Sequence, residues 1–126
     1  MLMALFLIIE PHEDIRRLYA AVVRGLGHEV AFFDGLPLDN PHVVLVEPAH
    51  AESLEAALRL QRDNPELPIV CASVNGPSRE AQVLRATTYL LKPFRLVELT
   101  DALQLALSQS DLLSEVTERV CAGRVE

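Results

Sequence analysis

The chain has 126 residues, half of them apolar and 23% charged, and its formal net charge is −7. This length and composition favour one globular domain with a single buried core. The acidic balance argues against direct nucleic-acid binding, which needs a basic face. No apolar run approaches the ~20 residues that span a bilayer, so no contact with a membrane is expected.

The first apolar run, MALFLII at residues 3–9, has no helical gaps and predicts a strand buried on both faces. It lacks the basic start and the small-residue cleavage site of a secretion signal. Cys71 and Cys121 are far apart and lack the spacing of metal ligands, so we expect two free thiols. These features indicate a cytoplasmic protein.

A helix is predicted over residues 13–26, because its apolar residues recur at helical spacing and acidic residues lead it. The rest of the pattern predicts strands at 29–33, 43–46, 68–74 and 88–91, and helices at 52–63, at 77–86 and from Leu96 to at least Leu107. Strands that alternate with helices predict an α/β fold, here a three-layer α/β/α sandwich around five parallel strands.

Ligands and chemistry in such a sheet collect beyond the carboxyl ends of the strands. The residues at this edge are Glu10 and Pro11 after the first strand, Glu47 after the third, Ser73 at the end of the fourth and Lys92 after the fifth. The order of elements therefore brings a cation, two carboxylates and a hydroxyl to one edge of the sheet.

Four stretches, LFLIIEPHEDIRRLY, PHVVLVE, LPIVCAS and YLLKPF followed by a helix, resemble in this order the receiver domain of two-component response regulators. The resemblance covers about residues 4–107. It implies a flavodoxin-like sheet of strand order 2-1-3-4-5 and a role in two-component signal transduction, as in a phosphorelay. It also implies a signalling module that is not an enzyme.

The resemblance assigns a role to each residue at the edge of the sheet. A working receiver is phosphorylated on an aspartate after the third strand, and Mg²⁺ is held there by that aspartate and two acidic residues after the first strand. A hydroxyl and a lysine contact the phosphoryl oxygens. Carried over, the acceptor position is Glu47, the acidic pair falls on Glu10 and Pro11, the hydroxyl is Ser73 and the lysine is Lys92.

Two of these positions depart from the pattern. Glu47 is one methylene longer than aspartate, so its carboxylate would lie where a phosphoryl group should arrive. Pro11 removes one oxygen ligand, and Glu10 alone is a weak metal candidate, so we expect Mg²⁺ binding to be weak or absent. Phosphoryl transfer needs that metal to offset developing charge. The sequence therefore predicts a degenerate, phosphorylation-independent receiver, or pseudo-receiver, with no catalytic residue and no cofactor.

We expect Lys92 to form an ion pair with Glu47, with Ser73 in contact; this pair either controls a partner surface or is a relic that neutralises a carboxylate. The resemblance implies a cis bond between Lys92 and Pro93. It also makes Tyr89 the candidate aromatic switch, although a tyrosine on an end strand is more often simply half-buried. Tyr89 and Pro93 mark the expected switch and interaction face.

Two segments outside this edge also depart from a common receiver. Only five residues separate Gly35 from Pro41, which predicts that the second helix is missing or a single turn. Residues 96–120 carry apolar side chains at 3–4 spacing, which predicts an extended C-terminal helix with a dimer seam. A break near 108–111, with Asp111 capping a second short helix, is the alternative. We divide the chain into a receiver-like domain, 1–108, and a helical extension or linker, 109–126.

The expected partner is a protein of a signalling pathway. Receivers generally signal through the face formed by the helix at 77–86, the fifth strand and the last helix, which is an argument by analogy of fold. That face, or the C-terminal helix, could also form a homodimer.

Two other functions remain open. One is an active receiver that responds to phosphate or another small anion. The other is an unrelated flavodoxin-like metal-binding or hydrolytic protein that uses a histidine and glutamate edge. Its metal site would combine His12 and His50 with Glu10 and Glu47, and its hydrolytic triad would be Ser73, His50 and Glu47.

Overall fold

The computed structural model describes residues 3–35 and 40–110. Its elements in chain order are β1 Leu5–Ile9, α1 Glu13–Gly25, β2 Glu29–Phe32, β3 Val43–Val46, α2 Ala51–Asp63, β4 Ile69–Ser73, α3 Arg79–Gln82, β5 Thr88–Leu91 and α4 Leu96–Ser108. Within these residues every predicted strand and helix is present. The ends differ from the prediction by at most two residues, except at α3.

The five strands form one sheet of order β2-β1-β3-β4-β5, and every neighbouring pair runs parallel. This confirms the flavodoxin-like α/β prediction. The inner strands are buried on both faces, which explains why they read as continuous apolar runs.

Alternate residues of each inner strand feed two separate cores, one on each side of the sheet. Phe6 and Ile8 of β1 pack with α1 and α4, while Leu7 and Ile9 pack with α2 and α3. The molecule therefore has the three layers that the sequence predicts, and the carboxyl ends of β1, β3, β4 and β5 meet at one edge.

Helix α3 is much shorter than the predicted helix at 77–86. Ser78 caps it, since its hydroxyl oxygen accepts the Ala81 N–H at 3.0 Å. Beyond the helix, the Arg85 backbone bonds to the Gln61 side chain of α2: the Arg85 N–H donates to Oε1 at 2.9 Å, and Nε2 donates to the Arg85 carbonyl at 3.0 Å. These bonds take the backbone groups that a longer helix would have used.

No helix lies between β2 and β3 in the described residues 33–35 and 40–42. Gly35 and Asn40 have positive φ angles of 93° and 55°, so the backbone turns at both points. Residues 36–39 lie outside the described part, and four residues hold about one helical turn. The structure agrees with the prediction that the second helix is missing or a single turn.

Helix α4 ends at Ser108, where the serine hydroxyls of Ser108 and Ser110 donate to the carbonyls of Leu105 and Leu107, each at 2.6 Å. The helix thus stops where the sequence allowed a break. Asp111 and the remainder of the predicted extension lie outside the described residues, and the domain boundary at 108 stays a prediction. Among the described helices, none has the length and apolar character needed to cross a bilayer.

Candidate functional site

Two loops of similar design meet at the carboxyl edge of the sheet. β1 runs into Glu10-Pro11 before α1, and β3 runs into Glu47-Pro48 before α2. Each glutamate is buried, and each accepts the backbone N–H two residues further on through its Oε2 atom. These bonds run from His12 to Glu10 at 3.3 Å and from Ala49 to Glu47 at 3.4 Å. Both carboxylates are therefore held by their own loops.

One cation lies between the two carboxylates. The Lys92 ammonium donates to Oε1 of Glu10 at 2.8 Å and approaches Oε1 of Glu47 at 3.5 Å. The exposed fractions of the side chains are 14% for Lys92, 1% for Glu10 and 10% for Glu47. The three groups carry a formal charge of −1 and are mostly shielded from water.

The backbone at Lys92 positions this cation. The Lys92 N–H donates to the Ser73 carbonyl at 2.7 Å, which continues the pairing of β5 with β4. The Lys92–Pro93 peptide bond is cis, as the resemblance implied. The backbone bends at Lys92 and Pro93.

The nearest partner of Lys92 differs from the one that the sequence suggested. Glu10 is closer than Glu47 although β1 lies farther from β5 in the sheet than β3 does, and the carboxylate of Glu10 is the more deeply buried of the two. The expected contact with Ser73 takes another form as well. The Ser73 hydroxyl is fully buried, and its oxygen accepts the Asn75 N–H at 3.2 Å.

Tyr89 lies beside the site on β5. Its hydroxyl donates to the Asn75 carbonyl at 2.8 Å. Burial raises the pKa of Tyr89, and a hydrogen bond with Ser73 partly opposes that rise. Tyr89 also forms one wall of a cleft of about 440 Å³. The other lining residues are Pro48, Ala49, Ala51, Leu54, Asn75, Gly76, Ser78, Glu80 and Ala81.

The donor set fits Mg²⁺ poorly. Both oxygens of Glu10 and of Glu47 already accept from protein N–H groups, and Pro11 has no side-chain oxygen. Mg²⁺ needs near-octahedral oxygen ligands, and the Lys92 ammonium would repel it from both carboxylates. In the described part of the chain, no three His, Cys, Asp or Glu side chains group as a metal site.

The two histidines near this edge serve different neighbours. The Nδ1 atom of His12 lies 3.3 Å from Oε2 of Glu10, with the imidazole mostly exposed. His50 caps α2, with its Nδ1 atom 2.9 Å from the Ser53 hydroxyl oxygen. The structure thus places His50 at Ser53 rather than at Ser73, and the arrangement expected of a Ser73-His50-Glu47 triad is not formed.

The sequence interpretation missed Asn75 and Tyr19. Asn75 stands two residues after Ser73 and joins the Ser73 hydroxyl to Tyr89 through its backbone. The hydroxyl of Tyr19 is buried with no partner in the described structure. Burial raises its pKa, and the negative charges of Glu10 and Glu47 raise it further. The signal that could have found Tyr19 is its position four residues after Ile15, which places both on one face of the predicted helix.

Comparison with solved structures finds chains that share this fold. NtrX from Brucella abortus in complex with ADP matches with a TM-score of 0.75 and 25% identity over 93% of this chain. A response regulator from Thermotoga maritima matches with a TM-score of 0.70 and 18% identity, covering 85% of this chain and 99% of its own. No protein-family model and no curated protein sequence matches the chain.

A third structure bears on the metal. The receiver domain of the sensor histidine kinase PA1611 from Pseudomonas aeruginosa, described with a magnesium ion coordinated in its active-site cleft, matches with a TM-score of 0.68 and 21% identity. It covers 85% of this chain and 99% of its own. The chain spans only 29% of the length of the Brucella NtrX chain.

Proposed function

We propose that this chain, whose fold is that of response regulator receiver domains, is a degenerate receiver that signals by binding protein without being phosphorylated. The observation that carries the proposal is the contact of Lys92 with Glu10 and Glu47. The cation that would meet a phosphoryl group already has two carboxylate partners within the protein.

The metal chemistry supports the same proposal. The carboxylate oxygens are engaged by N–H donors, and Pro11 contributes no ligand, so the protein binds Mg²⁺ weakly or not at all. Without that metal, the charge that develops during phosphoryl transfer is not offset. On this proposal the protein is a binding module and not an enzyme. In keeping with the sequence prediction, it is cytoplasmic and does not contact DNA or membranes directly.

Beryllofluoride titration tests this directly, because that anion mimics a phosphoryl group on a receiver. The amide NMR spectrum of the protein in Mg²⁺ should not change on adding beryllofluoride, and acetyl phosphate should add no mass. A phosphorylated species, or saturable shifts at Glu47 and Lys92, would show that the site is an active receiver or an anion sensor.

The partner is proposed to dock on the face of α3, β5 and α4. This face exposes large apolar side chains that nothing in the described structure covers; they are Val83, Leu91, Leu96, Val97 and Leu105. Apolar side chains that are exposed together on one face mark protein contact sites, whereas single exposed ones are ordinary. A homodimer through this face is the alternative occupant.

Substitution on this face tests the surface without disturbing the core. Leu91→Ser and Val83→Ser should leave thermal stability nearly unchanged, because both side chains are more than half exposed. Each should weaken binding to the partner, or lower the apparent mass in sedimentation if the partner is a second copy. Leu18→Ser, on the exposed side of α1, is the matched control; an equal effect there would rule out the face.

A further inference from the structure

The start of β1 is held by two imidazoles at the edge of the sheet opposite the candidate site. β1 lies between β2 and β3. The Ala4 N–H donates to Nδ1 of His28 at 3.0 Å, and the Leu5 N–H donates to Nδ1 of His42 at 2.9 Å. Since successive N–H groups of a strand point to opposite sides, the two histidines hold β1 from both sides.

Each imidazole extends the backbone pairing of the sheet by one bond. Leu5 exchanges two hydrogen bonds with His42, since its carbonyl accepts the His42 N–H at 2.8 Å. The Ala4 carbonyl accepts the Glu29 N–H at 2.9 Å in the same way. The histidines therefore pair the two N–H groups that a parallel neighbour leaves open at the start of β1.

This geometry sets the protonation state of both side chains. A nitrogen that accepts a backbone N–H carries no proton, so both imidazoles are neutral with the proton on Nε2. Burial lowers the pKa of His28, and the repulsion that a second protonated ring at His42 would cause lowers it further. The centroid of the His28 ring also lies 5.4 Å from the centroid of the Phe6 ring. Glu29, which follows His28 in the chain, and Arg24 in α1 are both exposed.

We propose that His28 and His42 form an acid-sensitive clamp on the start of β1. A proton on Nδ1 would face the backbone N–H, so the hydrogen bond would break and leave a donor unpaired. The unfolded chain takes up that proton near the ordinary histidine pKa of about 6.5. The stabilisation by the clamp is therefore full above that pH, and it decreases as the pH falls from there towards the lowered pKa of His28 in the folded protein.

NMR of the wild-type protein tests the protonation state first. Near pH 7.5, long-range ¹H–¹⁵N spectra should show an unprotonated Nδ1 and a protonated Nε2 for His28 and His42. On acidification to about pH 5.5, the protection of the Ala4 and Leu5 amides, corrected for intrinsic exchange, should fall about tenfold. A proton on Nδ1 at the higher pH, or unchanged protection, overturns the proposal whether or not any variant folds.

Unfolding by urea provides the second test. Between about pH 7.5 and 5.5 the wild-type unfolding constant should rise by up to about tenfold through His28, whose pKa is lowered in the folded protein. His28→Asn with His42→Asn keeps an acceptor oxygen but removes the titration, so this double variant should lose most of the rise. His12→Asn, which removes an exposed imidazole, should retain it. Equal pH dependence in the double variant and the wild type contradicts the clamp.

Discussion

At the scale of single residues, the candidate site is defined by one cation that two carboxylates share unequally. Lys92 lies 2.8 Å from Glu10 and 3.5 Å from Glu47, and only the shorter contact has the length of a strong charge-assisted hydrogen bond. Removing Lys92 would leave two shielded carboxylates facing each other, which is costly because buried charges need partners.

Double-mutant cycles should reveal this inequality. Lys92→Met should destabilise the protein by about 3 kcal/mol. Its coupling energy with Glu10→Gln should be about 2 kcal/mol, while its coupling with Glu47→Gln should be below about 1 kcal/mol. Urea unfolding of the single and double variants at neutral pH measures both values. A larger coupling to Glu47 would mean that the ion pair suggested by the sequence is the dominant one.

The acceptor position alone should not restore phosphorylation. Glu47→Asp shortens the side chain, but Pro11 still supplies no ligand, so incubation with acetyl phosphate and Mg²⁺ should leave the mass of this variant unchanged. Adding Pro11→Asp supplies a second acidic group at the end of β1, and the double variant should gain a phosphorylated species. Phosphorylation of the single variant would show that Pro11 matters less than its missing oxygen suggests.

At the scale of elements, hydrogen bonds from the Gln61 side chain hold the segment that follows the short helix α3. Gln61 is buried on α2 and bonds to both backbone groups of Arg85, while the Arg85 guanidinium donates to the Pro65 carbonyl at 2.9 Å. The segment after α3 is therefore anchored to α2, although α3 itself has only four residues.

Gln61→Ala should destabilise the fold by about 2–3 kcal/mol, because it leaves the Arg85 N–H and carbonyl without their partner. Gln61→Glu should be similarly harmful at neutral pH, since a carboxylate accepts the N–H but cannot donate to the carbonyl. Gln104→Ala, at an exposed position of α4, is the control and should cost little. Thermal unfolding and amide exchange at Arg85 measure the loss of stability. A loss as small as that of the control would contradict the proposed role of Gln61.

The sequence could predict the features that local patterns determine, but not those that depend on contacts between residues far apart in the chain. Parallel strands buried on both faces leave continuous apolar runs, so the strands were predicted to within two residues. The stretch PSREAQVLRA has a helical pattern, yet the Gln61 clamp that ends α3 lies 24 residues away in sequence. The Lys92–Glu10 contact spans 82 residues; the sequence located that edge but took Glu47 as the partner of Lys92, because no local pattern shows which carboxylate lies nearer.

At the scale of the whole molecule, different kinds of side-chain contact join the strands at the two opposite edges of the sheet. The carboxyl edge joins β1, β3 and β5 through Lys92, Glu10 and Glu47, and the opposite edge joins β1, β2 and β3 through histidine acceptors. β1 takes part in both, so this strand is held at each end by side chains that carry or can gain charge.

Because the carboxylate oxygens at the site are already engaged and Pro11 supplies no ligand, the free energy of unfolding should be insensitive to Mg²⁺. A site filled at 100 times its Kd would add about 2.7 kcal/mol, or roughly 10 °C in Tm for a domain of this size. We expect a shift below about 1 °C when Mg²⁺ is compared with Na⁺ at equal ionic strength. The Pro11→Asp, Glu47→Asp variant is the positive control, and its Tm should rise with Mg²⁺. A matching rise in the wild type would contradict the proposed loss of the metal site.

The positions of the tyrosines make the unlabelled protein an optical reporter of its own cleft. The chain has two tyrosines, four phenylalanines and no tryptophan, so emission excited at wavelengths that phenylalanine does not absorb comes from Tyr19 and Tyr89 alone. Tyr19→Phe removes a buried hydroxyl that has no partner in the described structure, which should cost little stability. Tyr89, on the cleft wall, then remains as the sole emitter, and a partner that fills the cleft could be followed by fluorescence without a dye.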